Sequence, residues 1–392
     1  MIHFSILAFW TGVTIVMYTY LGYGLILLII SKIKKPFALQ LYQTDSELPS
    51  VTILIPAYNE DQLLEEKIRN TRALDYPADK LHIAFVTDGS TDNSPKIITQ
   101  HAGITLFHSS ERKGKIHAVN RVMKMVTTPI IVFCDANTLL NSLSIKNIVR
   151  HYQDANVGGV AGEKRIFKKT ADNASGAGEG LYWKYESFLK KKDSDINSVV
   201  GAAGELFSVR TSLYEEPAED MIIEDFYMSM RIAARGYRFV YEPEAFATEA
   251  ASASVKEEWK RKVRICAGAF QAMGKLLYLL NPFKYGLLSF QYLSHRVLRW
   301  TLAPISLLVI LVSNLVLAFY GIPIYIATLS LQILFYSVAY LGYLNQDKDI
   351  SIKGFFVPYY FTVMNLAVYA GFTRFIKGKQ SVIWEKAERA KL

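Results

Sequence analysis

The chain has 392 residues, enough for one large domain or two ordinary ones, with 51% hydrophobic residues and a formal net charge of +9. The apolar surplus sits at the two ends, where Lys32, Lys34, Lys35, Arg374, Lys377 and Lys379 flank it, a placement suited to the anionic inner face of a membrane. No basic stripe is interleaved with base-stacking aromatics, which excludes nucleic acid as a partner, and Cys134 and Cys266, without metal-ligand spacing, read as buried thiols in a reducing compartment.

In chain order, residues 5–30 carry no charge, and about 20 apolar residues span roughly 30 Å of hydrocarbon. The basic cluster "SKIKK" follows this run, so residues 1–31 read as a transmembrane anchor with its C-terminal end in the cytoplasm, not as a cleaved signal peptide. Residues 45–275 then alternate short β-branched runs with helix-like stretches. "VTILIPAY", "LHIAFVTDG" and "PIIVFCDAN" read as strands, and strands alternating with helices predict an α/β domain with a mostly parallel, Rossmann-like sheet. Ligands bind such sheets at the carboxyl ends of the strands. The polar stretches "PAYNE", "TDGSTDNS" and "DAN" each begin where an apolar strand ends. Neither GxGxxG nor GxxxxGK[ST] marks the first strand–helix turn, which argues against dinucleotide-dehydrogenase and P-loop chemistry.

Beyond the domain, residues 276–300 mix aromatic and basic side chains like an interfacial helix, and 301–344 hold two transmembrane helices. The run at 351–373 reads as interfacial or re-entrant, because a third crossing would carry the basic tail 374–392 to the outer face. The protein is thus expected to be a multi-pass protein of the inner or plasma membrane with its soluble domain in the cytoplasm.

Each polar stretch also has a plain structural reading. "TDGSTDNS" makes a turn and N-cap without any ligand; "ERKGKIHAVN", with Arg112, Lys113 and Lys115 around Gly114, makes a solvated charge run; Glu224 and Asp225 complement a helix dipole. The functional readings have Asp88 accepting hydrogen bonds from a nucleotide, the basic loop facing phosphates, and adjacent carboxylates at 224–225 serving as a general base. Arg261 and Arg264, three apart on one helix face, clamp a diphosphate or face lipid headgroups.

Taken in order, "PAYNE", "DGSTDNS", "KGK", "DAN", "GAAGELFSVR", "EDF…RGYRFVYEPEA", "RKVRICAG" and "WEKAER" resemble the family 2 glycosyltransferases of GT-A type. The resemblance is to the membrane-integrated branch of hyaluronan, cellulose and poly-N-acetylglucosamine synthases, and it covers nearly the whole chain. It implies that Ala57, Tyr58 and Glu60 contact the nucleotide, Asp88 the uracil, and Lys115 the donor phosphates. Asp135 and Asn137 would hold Mg²⁺ or Mn²⁺. Gly201 to Glu205, including Gly204, would border the donor sugar and acceptor, Asp225 beside Glu224 would be the base, and Arg264 with Arg261 would face the pyrophosphate. Trp384 and Arg389 would belong to a loop that closes over the donor. The implied reaction moves a sugar from a UDP-sugar, of GlcNAc or Glc type, to a lipid-linked or growing glycan, with inversion and with other exopolysaccharide-assembly proteins as partners. Three departures stand out: Thr87 and Asn137 replace acids, and "RKVRI" lacks the Gln and Trp of the synthase motif. They motivate a second reading, a catalytically impaired scaffold or sugar-nucleotide sensor. A transporter is disfavoured, since the apolar ends carry no buried acid or broken repeat. The sequence also predicts that Asp135→Ala ends metal-dependent activity and that Asn137→Asp is tolerated, since carboxylate and amide oxygens both ligate these metals.

Overall fold

The computed structural model describes residues 1–34, 37, 42–167, 174–250, 255–345 and 353–378. Its centre is one eight-stranded sheet, built of β1 (Val51–Ala57), β2 (Leu81–Asp88), β3 (Ile104–Ser109), β4 (Ile130–Cys134), β5 (Thr138–Leu140), β6 (Val157–Phe167), β7 (Leu206–Arg210) and β8 (Arg238–Ala250). The spatial order is β3-β2-β1-β4-β7-β6-β8-β5. Strands β3, β2, β1 and β4 run parallel, β7 runs antiparallel to both β4 and β6, and β6 and β8 are parallel again. The three strands expected from the sequence are β2, β1 and β4, side by side. Their nearly continuous apolar runs follow from burial on both faces. Ile53, Ile55, Val132 and Leu64 on one face, and Leu54, Phe133, Val119 and Phe207 on the other, are all buried. Each such side chain contributes roughly 1.5–3 kcal/mol by leaving water.

The helices Asp61–Arg72, Lys115–Met123 and Glu224–Ala234 flank the sheet. Gly236, with φ +90, follows the last of these as its C-terminal cap. Among the described residues, helices also lie before and after this domain in the sequence. Ile2–Ile33, Leu302–Phe319, Pro323–Leu344 and Gly354–Ile376 are long and apolar enough to cross a membrane. The first is continuous through a π-helical turn at Tyr18–Gly22, and a Cβ at Gly12 would lie 2.8 Å from Ile310 Cγ1, so the small residue lets it close against Leu302–Phe319. The last of the four packs differently. Ala367 and Val368 cluster with Cys266 of the helix Val255–Lys275, while Tyr369 donates to the Pro304 carbonyl (2.5 Å) and Asn365 accepts from Tyr20 (3.1 Å).

A buried polar cluster ties the first helix to the domain. Asp193, on Ala174–Ile196, accepts from Tyr23, from His295 Nδ1 (2.6 Å) and from Gln291. Glu186, two turns earlier, accepts from Arg296 and from Arg299 (3.0 Å). A second π-helical turn, Leu293–Val297, rotates His295 and Arg296 inward together. Arg296 Nε then donates to the Val200 carbonyl, at the start of the Gly201–Glu205 loop (3.0 Å).

Candidate active site

The loops after β1 and β2 brace each other. Asn59 takes the left-handed conformation (φ +53), which Asn tolerates, and its side-chain oxygen accepts from Thr91 N (2.8 Å). Glu60 N donates to Ser94 Oγ (3.0 Å) and Asp61 N to Asp92 Oδ2 (3.0 Å). "TDGSTDNS" is therefore a turn and cap, as its plain reading had it, and also the wall against which "PAYNE" is set. Ala57 ends β1 in the core, Tyr58 stands half-buried beneath the Arg112 guanidinium (3.7 Å to its ring), and Glu60 is buried at the head of its helix. Gly89, at φ +66, is required on two counts, since a Cβ there would also lie 2.6 Å from Arg112 Cβ.

Asp88 does local work in this structure. Its carboxylate accepts from the backbone N–H of Lys113 (3.0 Å) and Gly114 (2.6 Å), and so holds the basic loop shut at the entry to Lys115–Met123. That fixes Lys115, whose ammonium donates to Asp135 Oδ1 (2.9 Å) and pairs with Glu224 Oε1 (3.1 Å). A Cβ at Gly204 would lie 3.4 Å from Asp225 Oδ2 and 3.7 Å from Lys115 Nζ. Residues far apart in sequence (115, 135, 204, 224 and 225) thus meet beyond the carboxyl end of β4, where an open α/β sheet places its ligands.

The cluster carries more acid than base. Burial raises Asp225 to about 7, helped by the neighbouring Glu224 and opposed by its hydrogen bond to the Phe226 backbone and by Lys115. Burial also raises Asp135, with Lys115 opposing. Burial alone would lower Lys115, but Asp135 and Glu224 hold it well above its ordinary range. Arg264 is pushed down by burial and by Arg374 and drawn back by Glu224, Asp225 and Asp135, so it lies within electrostatic reach of this same cluster. Arg261 is spent differently: its fork is on Glu258 (3.0 and 3.2 Å), and its charge reaches Glu205. Trp384 and Arg389 lie outside the described residues.

Several functional neighbours carry no sequence motif. Lys67, fully buried beneath the Asp135 turn, donates to the Thr138 carbonyl (2.7 Å) and to Cys134 Sγ (2.8 Å). Its position on the apolar helix face with Leu64, Ile68 and Thr71 was the available signal. Lys164, also buried, bridges Glu205 (2.5 Å) and Glu249 (2.6 Å). Burial would raise Glu205, yet Lys164 and then Arg261 hold it well below the usual carboxylate range.

Among the described residues, no three His, Cys, Asp or Glu side chains gather as a ready-made metal site. Asp135 and Asn137 nevertheless offer a carboxylate and an amide two residues apart on one strand-end turn, and a cation, the Lys115 ammonium, already rests on Asp135 Oδ1. That donor set fits Mg²⁺ or Mn²⁺ held by one or two protein oxygens together with phosphates.

The chain is similar to known proteins in both sequence and fold. Residues 52–216 match the family model "Glycosyl transferase family 2". The chain is 27% identical over 241 residues to poly-beta-1,6-N-acetyl-D-glucosamine synthase of Staphylococcus aureus (strain COL). That alignment covers 58% of this chain and 56% of the relative, so the chain spans little more than half the length of that protein. It is 23% identical to the probable glycosyltransferase YdaM of Bacillus subtilis (strain 168), over 88% of this chain and 87% of that one. The fold is shared with a mannosyltransferase of Pyrobaculum calidifontis solved with GDP-Man and Mn²⁺, at TM-score 0.69 and 23% identity, over 94% of this chain and 99% of that one.

Proposed function

From the match of residues 52–216 to the family 2 glycosyl transferase model, we propose that the protein transfers a sugar from a UDP-sugar to a lipid-linked or growing glycan, with inversion, at the cytoplasmic face of a membrane. The observation that carries this reading is the meeting of Lys115, Asp135, Gly204, Glu224 and Asp225 at one strand end, with Asp225 raised to about 7. A base of that strength suits a hydroxyl acceptor near neutral pH. Asp225 takes the proton of the acceptor hydroxyl, Glu224 keeps that pKa high, and the sugar passes to the oxygen from the face opposite the leaving diphosphate.

Lys115 and Arg264 sit where the diphosphate would leave, and Asp135 with Asn137 would hold a divalent cation, which supplies further positive charge against the departing phosphates. Tyr58, Glu60 and the braced β1 and β2 loops would receive the nucleotide, and Gly201 to Glu205 the sugar. The name of the staphylococcal relative favours N-acetylglucosamine, and a role in exopolysaccharide synthesis, over other choices. An intact base and arginine weigh against a catalytically impaired scaffold. The helix Gly354–Ile376 is read as interfacial, since its residues 365–371 rest on Tyr20, on Pro304 at the start of Leu302–Phe319 and on Cys266 of the helix Val255–Lys275.

The test is transfer of labelled sugar into lipid-extractable or polymeric material by membranes containing the full chain, over a panel of UDP-, GDP- and dTDP-sugars. Incorporation from UDP-N-acetylglucosamine or UDP-glucose alone is expected. Incorporation from none of the panel would refute the reading.

A further inference from the structure

Asn137 is the departure that most weakens a two-acid metal site, and its surroundings account for it. Strand β5 lies against β8 with Thr138 opposite Glu249, so the sheet itself fixes the Asn137 backbone beside the Glu249 backbone. Across that register Asn137 Nδ2 donates to Glu249 Oε1 (3.3 Å). A carboxylate can only accept here, so the amide must turn its nitrogen to Glu249 and its oxygen the other way. The other oxygen of Glu249 meets Lys164 Nζ at 2.6 Å, with 2% and 1% of the two side chains exposed. Lys164 in turn holds Glu205 at 2.5 Å. The row Asn137–Glu249–Lys164–Glu205 therefore runs from the metal-binding turn to the loop that borders Asp225, and Lys67 clamps the same turn from below.

We propose that Glu249 is a positioning residue that makes Asn137 a metal ligand, by fixing the amide so that Oδ1 faces the cation site beside Asp135. The proposal rests on the metal-dependent reading above. It explains the missing acid in charge terms. Glu205 and Glu249 share Lys164, and a carboxylate at 137 would stand within hydrogen-bond distance of Glu249 as a third negative group beside that ammonium. Like charges held this close repel strongly in a buried setting. The sequence alone predicts that Asn137→Asp is tolerated; with Glu249 across from it, the proposal predicts a loss instead.

The hydrogen bond can be inverted. In the pair Asn137→Asp with Glu249→Gln, an amide donates from the far side and a carboxylate oxygen remains for the cation. The experiment uses the full chain in detergent and follows free Mn²⁺ by its paramagnetic resonance signal during titration in the presence of UDP, with thermal midpoints recorded for every variant. Either single substitution is expected to weaken Mn²⁺ binding about 10- to 100-fold, as disturbed outer-shell partners do. The pair should return to within about threefold of the unaltered chain, the sign of direct coupling.

Losses that multiply in the pair, or Asn137→Asp binding Mn²⁺ as tightly as the unaltered chain, would overturn the proposal. If a single variant fails to fold, the pair against the unaltered chain still decides it: recovery supports the inverted bond, continued loss refutes it. An unaltered chain that takes up no Mn²⁺ with UDP would instead refute the metal reading itself, and the proposal with it.

Discussion

Two clusters of buried charge lie at opposite ends of the Gly201–Glu205 loop, and they are built on opposite plans. Around Asp193 and Glu186 the side chains are closed off: His295 and Asp193 are fully buried, Glu186 is 2% exposed and Arg299 11%. Each acid there has a basic partner, and burial, which would raise Glu186, is outweighed by Arg296, His295 and Arg299. Around Asp135 the side chains stay partly open, at 23% for Lys115 and 21% for Asp135. Acid there exceeds base, and Asp225 is left with a raised pKa. A closed, balanced cluster locks a structure, here the seat of the first helix on the domain. An open cluster with surplus acid stores reactivity and has room for the charge of a ligand.

Substitutions test the two clusters separately, and the largest effect belongs to Asp225→Asn. It should cut nucleoside diphosphate release about 10²- to 10⁴-fold, the range for a general base, with no fall in the thermal midpoint. Next comes Glu186→Gln, which strands Arg296 and Arg299 without their carboxylate. It should cost about 3–5 kcal/mol of stability, seen as a lower thermal midpoint in detergent, while activity per folded molecule is retained. Smaller again is Lys115→Met. Removing the ammonium beside Asp225 favours the protonated carboxyl, so the midpoint of the remaining pH–rate profile should rise by about one unit. The control is Lys191→Ala. Its partner Asp195 is one turn away on the surface, and the change should stay below about 0.5 kcal/mol by the same unfolding measurement.

What the sequence made legible follows the same division. Strands β1, β2 and β4 and the polar stretches at their ends were readable because each is a local pattern, an apolar run that stops at a turn. Asp225, Lys115 and Asp135 stood out through such patterns and through resemblance, and the structure brings all three together. Lys164 and Glu249 were not legible. Their contact links two strands at positions 85 residues apart, and a lone lysine in a strand reads as solvated. The Glu186, Asp193, His295 and Arg296 cluster spans still longer separations and depends on a π-helical turn with no sequence signature. Antiparallel β7, inserted between β4 and β6, was missed because short buried strands carry no mark of direction.

The open cluster is proposed as a catalytic centre with Asp225 as its base. The most direct test is the pH dependence of nucleoside diphosphate release by the purified full chain with a UDP-sugar and Mn²⁺. Because the base acts only without its proton, the rate should be level above pH about 7 and fall tenfold per unit below it. A rate that stays level from pH 5 to 8 would contradict it.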